Sequence, residues 1–214
     1  MAFAVLDLAL TSAVALLVTI DPVGTGPIFA ALTRGSDDAH RRRMAVKGVV
    51  IAAIILFVFA FVGEFLLRAL GIGFPAFRIA GGILLLLLAI DMAFARPSGI
   101  RSTTGPEQEE ATHKEDISVF PLAIPLIAGP GALTSLLLLM GRAQGDIISQ
   151  AIVLSVLALV LLANLAVLLA AAKVSKLMGI TGVNVVNRVL GILLAALACQ
   201  FVIDGILQSG IVKT

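Results

Sequence analysis

From Ile147 to Ala172 the chain carries no charged side chain at all. A helix needs only about 20 apolar residues to cross a hydrocarbon core roughly 30 Å thick. Lipid offers no partner for a backbone N–H or C=O, so a run of this kind folds as a helix. Residues 48–70 repeat the pattern, interrupted by Glu64 and Arg68. The whole chain of 214 residues is 60% hydrophobic and only 13% charged, with a mean hydropathy of +1.13. A soluble domain carries about 25% charged residues. Too little charge remains to cover a globular surface in water, and the chain reads as an integral membrane protein.

The other bulk features exclude more than they assign. A net charge of +2 and a pI near 9.0 do not point to nucleic acid, because the basic residues sit between hydrophobic segments, where they orient helices. Cys199 is the only cysteine, which rules out an intrachain disulfide, and its place in the last apolar stretch predicts a buried thiol. His40 and His113 lie in polar stretches without metal-ligand spacing. The N-terminus, MAFAVLDLALTSAVALL, lacks the basic head of a secretory signal and is expected to be a mature helix. Trp and Tyr are absent, so the usual aromatic belt is left to 11 Phe residues.

Six hydropathic segments are expected, at 8–33, 48–70, 78–95, 117–140, 147–172 and 186–207, with polar connections at 34–47, 96–116, 141–146 and 173–185. Connections on one side hold Arg34, Arg41, Arg42, Arg43, Lys47, Arg96, Arg101, Lys114, Lys173 and Lys176; the other side offers Arg68, Arg142 and Lys213. Lys and Arg concentrate on the cytoplasmic side, so both termini are expected outside the cytoplasm. The 96–116 stretch, acidic and rich in small residues, reads as a disordered cytoplasmic linker. It separates a first three-helix unit at 1–95 from a second at 117–214.

The two units echo each other. A shift of 108 residues lays Pro22 on Pro130 and GIG at 71–73 on GIT at 179–181, and two residues more lay Arg78 on Arg188 and Gly81 on Gly191. Three helices per unit turn the second upside down, an inverted repeat of the kind transporters use. The same shift maps IDPVGTGPIF (20–29) onto AGPGALTSLL (128–137), both rich in helix-breaking residues near the middle of a segment. Broken helices at the bilayer midplane survive where protein or a watery cavity meets their freed groups, and transporter sites are built from them. The expected fold is therefore all-α: a polytopic membrane protein of six transmembrane helices in two inverted three-helix repeats, with the first and fourth helices broken. Proline kinks that serve packing alone are the simpler alternative for either break.

DPVGTGPIF, FPLAIPLIAGPGALTS and NVVNRVLGILLAALACQFVIDGI together resemble the MarC family of bacterial inner-membrane proteins, and the similarity runs the length of the chain. The resemblance implies a small transporter of neutral amino acids such as glycine or alanine, in the inner membrane. The antibiotic resistance that the family name evokes finds no support in the residues.

Candidate binding residues cluster at the breaks: Asp21, Pro22, Gly24, Thr25 and Gly26 at the first, Gly129, Pro130, Gly131, Thr134 and Ser135 at the second. Asp21 either caps the helix that begins at Pro22 or meets a coupling Na⁺, a proton or a substrate ammonium; the roles are compatible. The hydroxyls of Thr25, Thr134 and Ser135 either line the site or bond back to a helical carbonyl. Glycines let backbone N–H groups approach a ligand, and a helix N-terminus holds a carboxylate without an arginine. Arg78 and Arg188 are interfacial anchors or, in the functional alternative, carboxylate forks, with Asn184 and Asn187 extending the polarity before Arg188. Glu64 and Arg68 read as a surface ion pair, and Asp7, Asp91 and Asp204 as solvated or interfacial.

No HExxH sequence, clustered metal set or Ser/His arrangement points to an enzyme, and no Gly-rich phosphate loop to a nucleotide. No cofactor is expected beyond a possible coupling Na⁺ or H⁺. The expected partners are an amino-acid substrate and lipid, not nucleic acid. The expected function is secondary transport; a membrane-embedded scaffold without transport activity is the alternative.

Overall fold

The computed structural model describes residues 2–33, 35–95 and 116–210 of the protein, and every regular element among them is helical. α1 (Ala2–Ile20) and α2 (Pro22–Leu32) follow each other with only Asp21 between them. α3 (Asp38–Ala69) and α4 (Phe74–Ala93) complete the first half. After residues 96–115, where the expected linker lies outside the described residues, come α5 (Ser118–Ile127) and α6 (Pro130–Arg142). α7 (Ile147–Leu169) and α8 (Ala171–Gln208) close the chain.

Five helices are long and apolar enough to cross a membrane, namely Val5–Leu32, Asp38–Ala69, Phe74–Ala93, Ile147–Leu169 and Thr181–Gln208; α5 and α6 make a sixth if that bent pair is one span. Their outward faces are apolar, with Ile54, Phe61, Phe65, Leu159, Leu162 and Ile192 all exposed. Such faces belong in hydrocarbon rather than water.

Local chemistry sets the helix starts. Asp37 accepts from the His40 N–H at 2.6 Å to open α3, and Asp146 accepts from Ile148 and Ser149 at 3.1 and 3.3 Å to open α7. Pro75 stands in the first turn of α4, where its missing N–H costs nothing. These starts correct the expected boundaries. The stretch 34–47 is a polar connection only as far as Asp37, because the cap places Arg41, Arg42, Arg43 and Lys47 on the first turns of α3. Arg78 lies in the second turn of α4 rather than at its head. The stretch 173–185 is helical apart from Gly179, whose φ of 59° only glycine adopts easily.

The core has two parts. α7 lies in the larger, where Val153, Leu157, Leu161 and Leu168 pack with Ala15 and Leu16 of α1, Leu56 of α3 and Leu136 of α6. The smaller joins α4 and α8 through Leu85, Leu88, Leu194, Ala198 and Phe201, with Val18 of α1 against them. α4 and α8 run antiparallel at backbone contact. A Cβ on Gly82 would stand 2.8 Å from the Ala198 carbonyl, one on Gly191 2.9 Å from that of Ala89, and one on Gly205 2.9 Å from that of Pro75. Cys199, expected in the core, is instead exposed on the apolar outer face of α8.

Candidate functional site

The first break is a single residue. Asp21 takes a left-handed conformation (φ 48°, ψ 71°), rare for a residue with a side chain. The helical ladder nevertheless continues past it: Asp21 N–H donates to Leu17 O at 2.9 Å and Thr25 N–H to Asp21 O at 3.0 Å. The α1–α2 pair therefore reads as one span, and the first helix is less broken than its sequence predicts. The Asp21 carboxylate turns back to accept from Gly24 N–H at 2.9 Å, so the capping role is realised. That carboxylate fills the space a Gly24 side chain would need, since a Cβ there would fall 2.0 Å from Oδ2. Pro22, Thr25 and Gly26 are buried beside it, with Gly26 against Val167 of α7.

The second break is a true bend. α5 and α6 meet at 53°. Pro121 and Pro125 prevent regular α-turns in α5, which is held by five-residue bonds, Leu122 N–H to Ile117 O at 3.1 Å and Ala128 N–H to Ala123 O at 2.8 Å. α6 starts afresh at Gly129 and Pro130. Its N-cap residue, Gly129, has no side chain to cap it, in contrast to Asp21 before α2.

The two breaks are neighbours. A Cβ on Gly131 would stand 2.8 Å from Leu88 and 3.8 Å from Cβ of Thr19, two residues before Asp21. Thr134, one turn further along α6, lays its methyl on Gly81 of α4, where a Cβ would be only 2.6 Å away. Asp21, Thr19, Thr25, Thr134 and Ser135 are all buried, and the Ser135 hydroxyl oxygen has no partner among the described residues. The glycine faces at 24, 129 and 131 are filled by the protein's own atoms, Asp21, the Pro125 carbonyl and Leu88. At these three glycines the packing leaves no room for a side chain. Away from the breaks, a cavity of ≈ 620 Å³ lies between Asp38, Arg41, Arg42 and the end of α7, and one of ≈ 90 Å³ is lined by Glu64, Phe74 and Gln150 among others.

Asn164 is the residue that sequence reasoning missed. It is wholly buried in the charge-free α7, and its Oδ1 lies 3.0 Å from the Thr25 hydroxyl. That hydroxyl also lies 2.9 Å from the Asp21 carbonyl and 3.3 Å from that of Pro22, yet it has one proton to give. The Asn164 Nδ2 is buried without a partner among the described residues. A lone Asn in an apolar run was the available signal, since a polar amide inside a membrane helix is costly unless something meets it.

Arg188 is exposed on α8, while Asn187 is half-buried with an unpartnered Oδ1. Arg78, the other anchor candidate, is 5% exposed. Glu64 and Arg68 form the expected ion pair, with Gln144 also on Glu64. Asp204 is not merely interfacial, because Arg142 reaches it at 2.6 Å. Among the described residues no group of His, Cys, Asp and Glu could hold a metal ion.

The family model for MarC family integral membrane proteins matches residues 6–209. A UPF0056 membrane protein of Archaeoglobus fulgidus is 34% identical over 90% of this chain and 89% of its own length. UPF0056 membrane protein YhcE of Escherichia coli is 33% identical over 90% and 89%. UPF0056 inner membrane protein YhgN of the same organism is 38% identical over 61% and 62%. No solved structure matches the chain.

Proposed function

The chain belongs to the MarC family of integral membrane proteins, and from that premise we propose that it is a secondary transporter of small neutral amino acids whose site is the meeting point of the two breaks. The observation that carries the reading is the unlike state of two adjoining helix starts. α2 begins under its own carboxylate, Asp21, whereas α6 begins at Gly129 with no side-chain cap. A helix N-terminus draws negative charge. A zwitterion placed between them meets the first-turn N–H groups of α6 with its carboxylate, and oxygens for its ammonium at Asp21, Thr25 and Asn164. The closed packing around Gly131 and Leu88 fits an occluded state of a site that opens alternately to each side.

An inverted repeat is part of the proposal. It is supported by the matching places of Pro22 and Pro130 at the starts of α2 and α6, and by the antiparallel packing of α4 on α8, the third helix of each half. So are the orientation, with both termini outside the cytoplasm, and a coupling Na⁺ or H⁺ received at Asp21.

The test is flux of labelled glycine or alanine into proteoliposomes under imposed Na⁺ or proton gradients. Accumulation driven by one of these gradients, and uncoupled from it in Asp21→Asn, is the expected result. Absence of solute flux under either gradient, from protein shown to be folded, would reject transport and leave the scaffold reading.

A further inference from the structure

Away from the breaks, where α4 begins and α6 and α8 end, three charged side chains share one partly buried space. Arg142 donates to Asp204 Oδ2 at 2.6 Å, and Gln200 donates to Oδ1 of the same carboxylate at 2.7 Å. Both Asp204 oxygens are thus engaged. Arg78 stands close enough to interact electrostatically with Arg142 and Asp204, but no carboxylate or carbonyl accepts from it among the described residues. It is 5% exposed, its Nε is buried with no partner, and its guanidinium carbon lies 4.9 Å over the ring of Phe74. Arg142 lies similarly over Phe201, at 4.8 Å.

A ring face softens a cation's loss of water but does not replace a counter-charge. A buried charge without a partner is costly, and guanidinium cannot shed its proton to escape that cost. Among the described residues, two guanidinium groups and one carboxylate leave the cluster one negative charge short. We propose that this end of the bundle is a binding site for a singly charged oxyanion of the carboxylate class, held by Arg78 and shared with Arg142. A planar carboxylate matches the guanidinium fork in two parallel bonds. The rings of Phe74 and Phe201 give its apolar portion a dry wall. A doubly charged phosphate would overshoot the missing charge and press on Asp204. The place is distinct from the α6 start, and its occupancy does not depend on the transport reading.

The experiment uses purified full-length protein in neutral detergent. Its thermal unfolding midpoint is followed against sodium acetate, with sodium chloride at equal ionic strength and short-chain phosphatidylglycerol as separate arms. Acetate is expected to raise the midpoint of the wild type and of Arg68→Gln, and to lose its effect in Arg78→Gln. In chloride alone Arg78→Gln should melt higher than the wild type, because it removes a charge that has no partner; an anchoring arginine would give the opposite sign. Asp204→Asn should shift the acetate response to lower concentration, because Arg142 is released to the ligand. Equal acetate shifts in the wild type and Arg78→Gln would overturn the proposal. So would a response to phosphatidylglycerol without one to acetate, which would assign the arginines to a lipid phosphate.

Discussion

Thr25→Val and Asn164→Leu, made singly and together, measure what the polar contact between α2 and α7 contributes. The two single variants are not equivalent. Among the described residues, Thr25→Val leaves Asn164 with both amide atoms unpartnered inside the bundle, since Nδ2 already lacks a partner there and Oδ1 meets only Thr25. Stranding such a group costs about 1–3 kcal/mol, and this variant belongs at the upper end. Asn164→Leu is milder, because the Thr25 hydroxyl keeps the Asp21 carbonyl at 2.9 Å as acceptor. The double variant strands nothing, so it should be more stable than the sum of the singles. Couplings between polar pairs in a membrane bundle average about 0.6 kcal/mol and reach about 1.7; the complete burial of Asn164 puts this pair in the upper half. Reversible unfolding in mixed micelles gives the four free energies, and proteoliposome flux gives the activities. The double variant should recover stability without recovering transport, because the ammonium-facing oxygens of Thr25 and Asn164 are gone and only Asp21 remains. Additivity within about 0.3–0.5 kcal/mol would show the contact to be idle. Full transport by the double variant would remove Thr25 and Asn164 from the site.

Gly24→Ala should cost about 1 kcal/mol or more even though Gly→Ala commonly favours a helix, because its methyl collides with Asp21 Oδ2 and breaks the cap; unfolding of the variant against wild type checks this. A reporter fused at Thr214 should be active only outside the cytoplasm, and activity inside would reject the orientation together with the inverted repeat. The Lys47 ammonium, then the Ser118 hydroxyl and N–H, hold the Asp116 carboxyl well below its usual range. A depressed carboxyl contributes stability above its unfolded pKa of 3.8 and loses it as pH falls through the lower folded value. The melting difference between wild type and Asp116→Asn should therefore be constant near neutrality and shrink only below about pH 4.

What sequence conveys here follows from what lipid demands. The charge-free run at 147–172 and the apolar stretch at 48–70 had no fold open to them but a helix, and both are helices. The two breaks were legible because Pro and Gly act on the backbone itself, wherever the neighbours are. How far each break bends was not legible, since at Asp21 the ladder closes over one left-handed residue, while Pro121 and Pro125 unsettle all of α5. Hydropathy also sets the edge of lipid rather than the edge of a helix, so the helical basic turns of α3 passed for a loop. Residues whose meaning depends on a distant partner were out of reach. Asn164 matters through Thr25, 139 positions away, and Arg78 through Arg142 and Asp204. Cys199 shows the same limit in reverse, because an apolar neighbourhood in sequence does not say whether it faces protein or lipid.

The glycine contacts between α4 and α8 bear on how such a molecule can move. Where side chains interdigitate, helices slide by small rotamer changes. Gly82, Gly191 and Gly205 leave no side chain to yield, so a sliding step drives a carbonyl of one helix into the backbone of the other. The pair therefore travels as one stiff plate. On the transport reading, a site at the breaks opens by α1–α2 and α5–α6 swinging across that plate, with Leu88 and Gly131 among the surfaces that part.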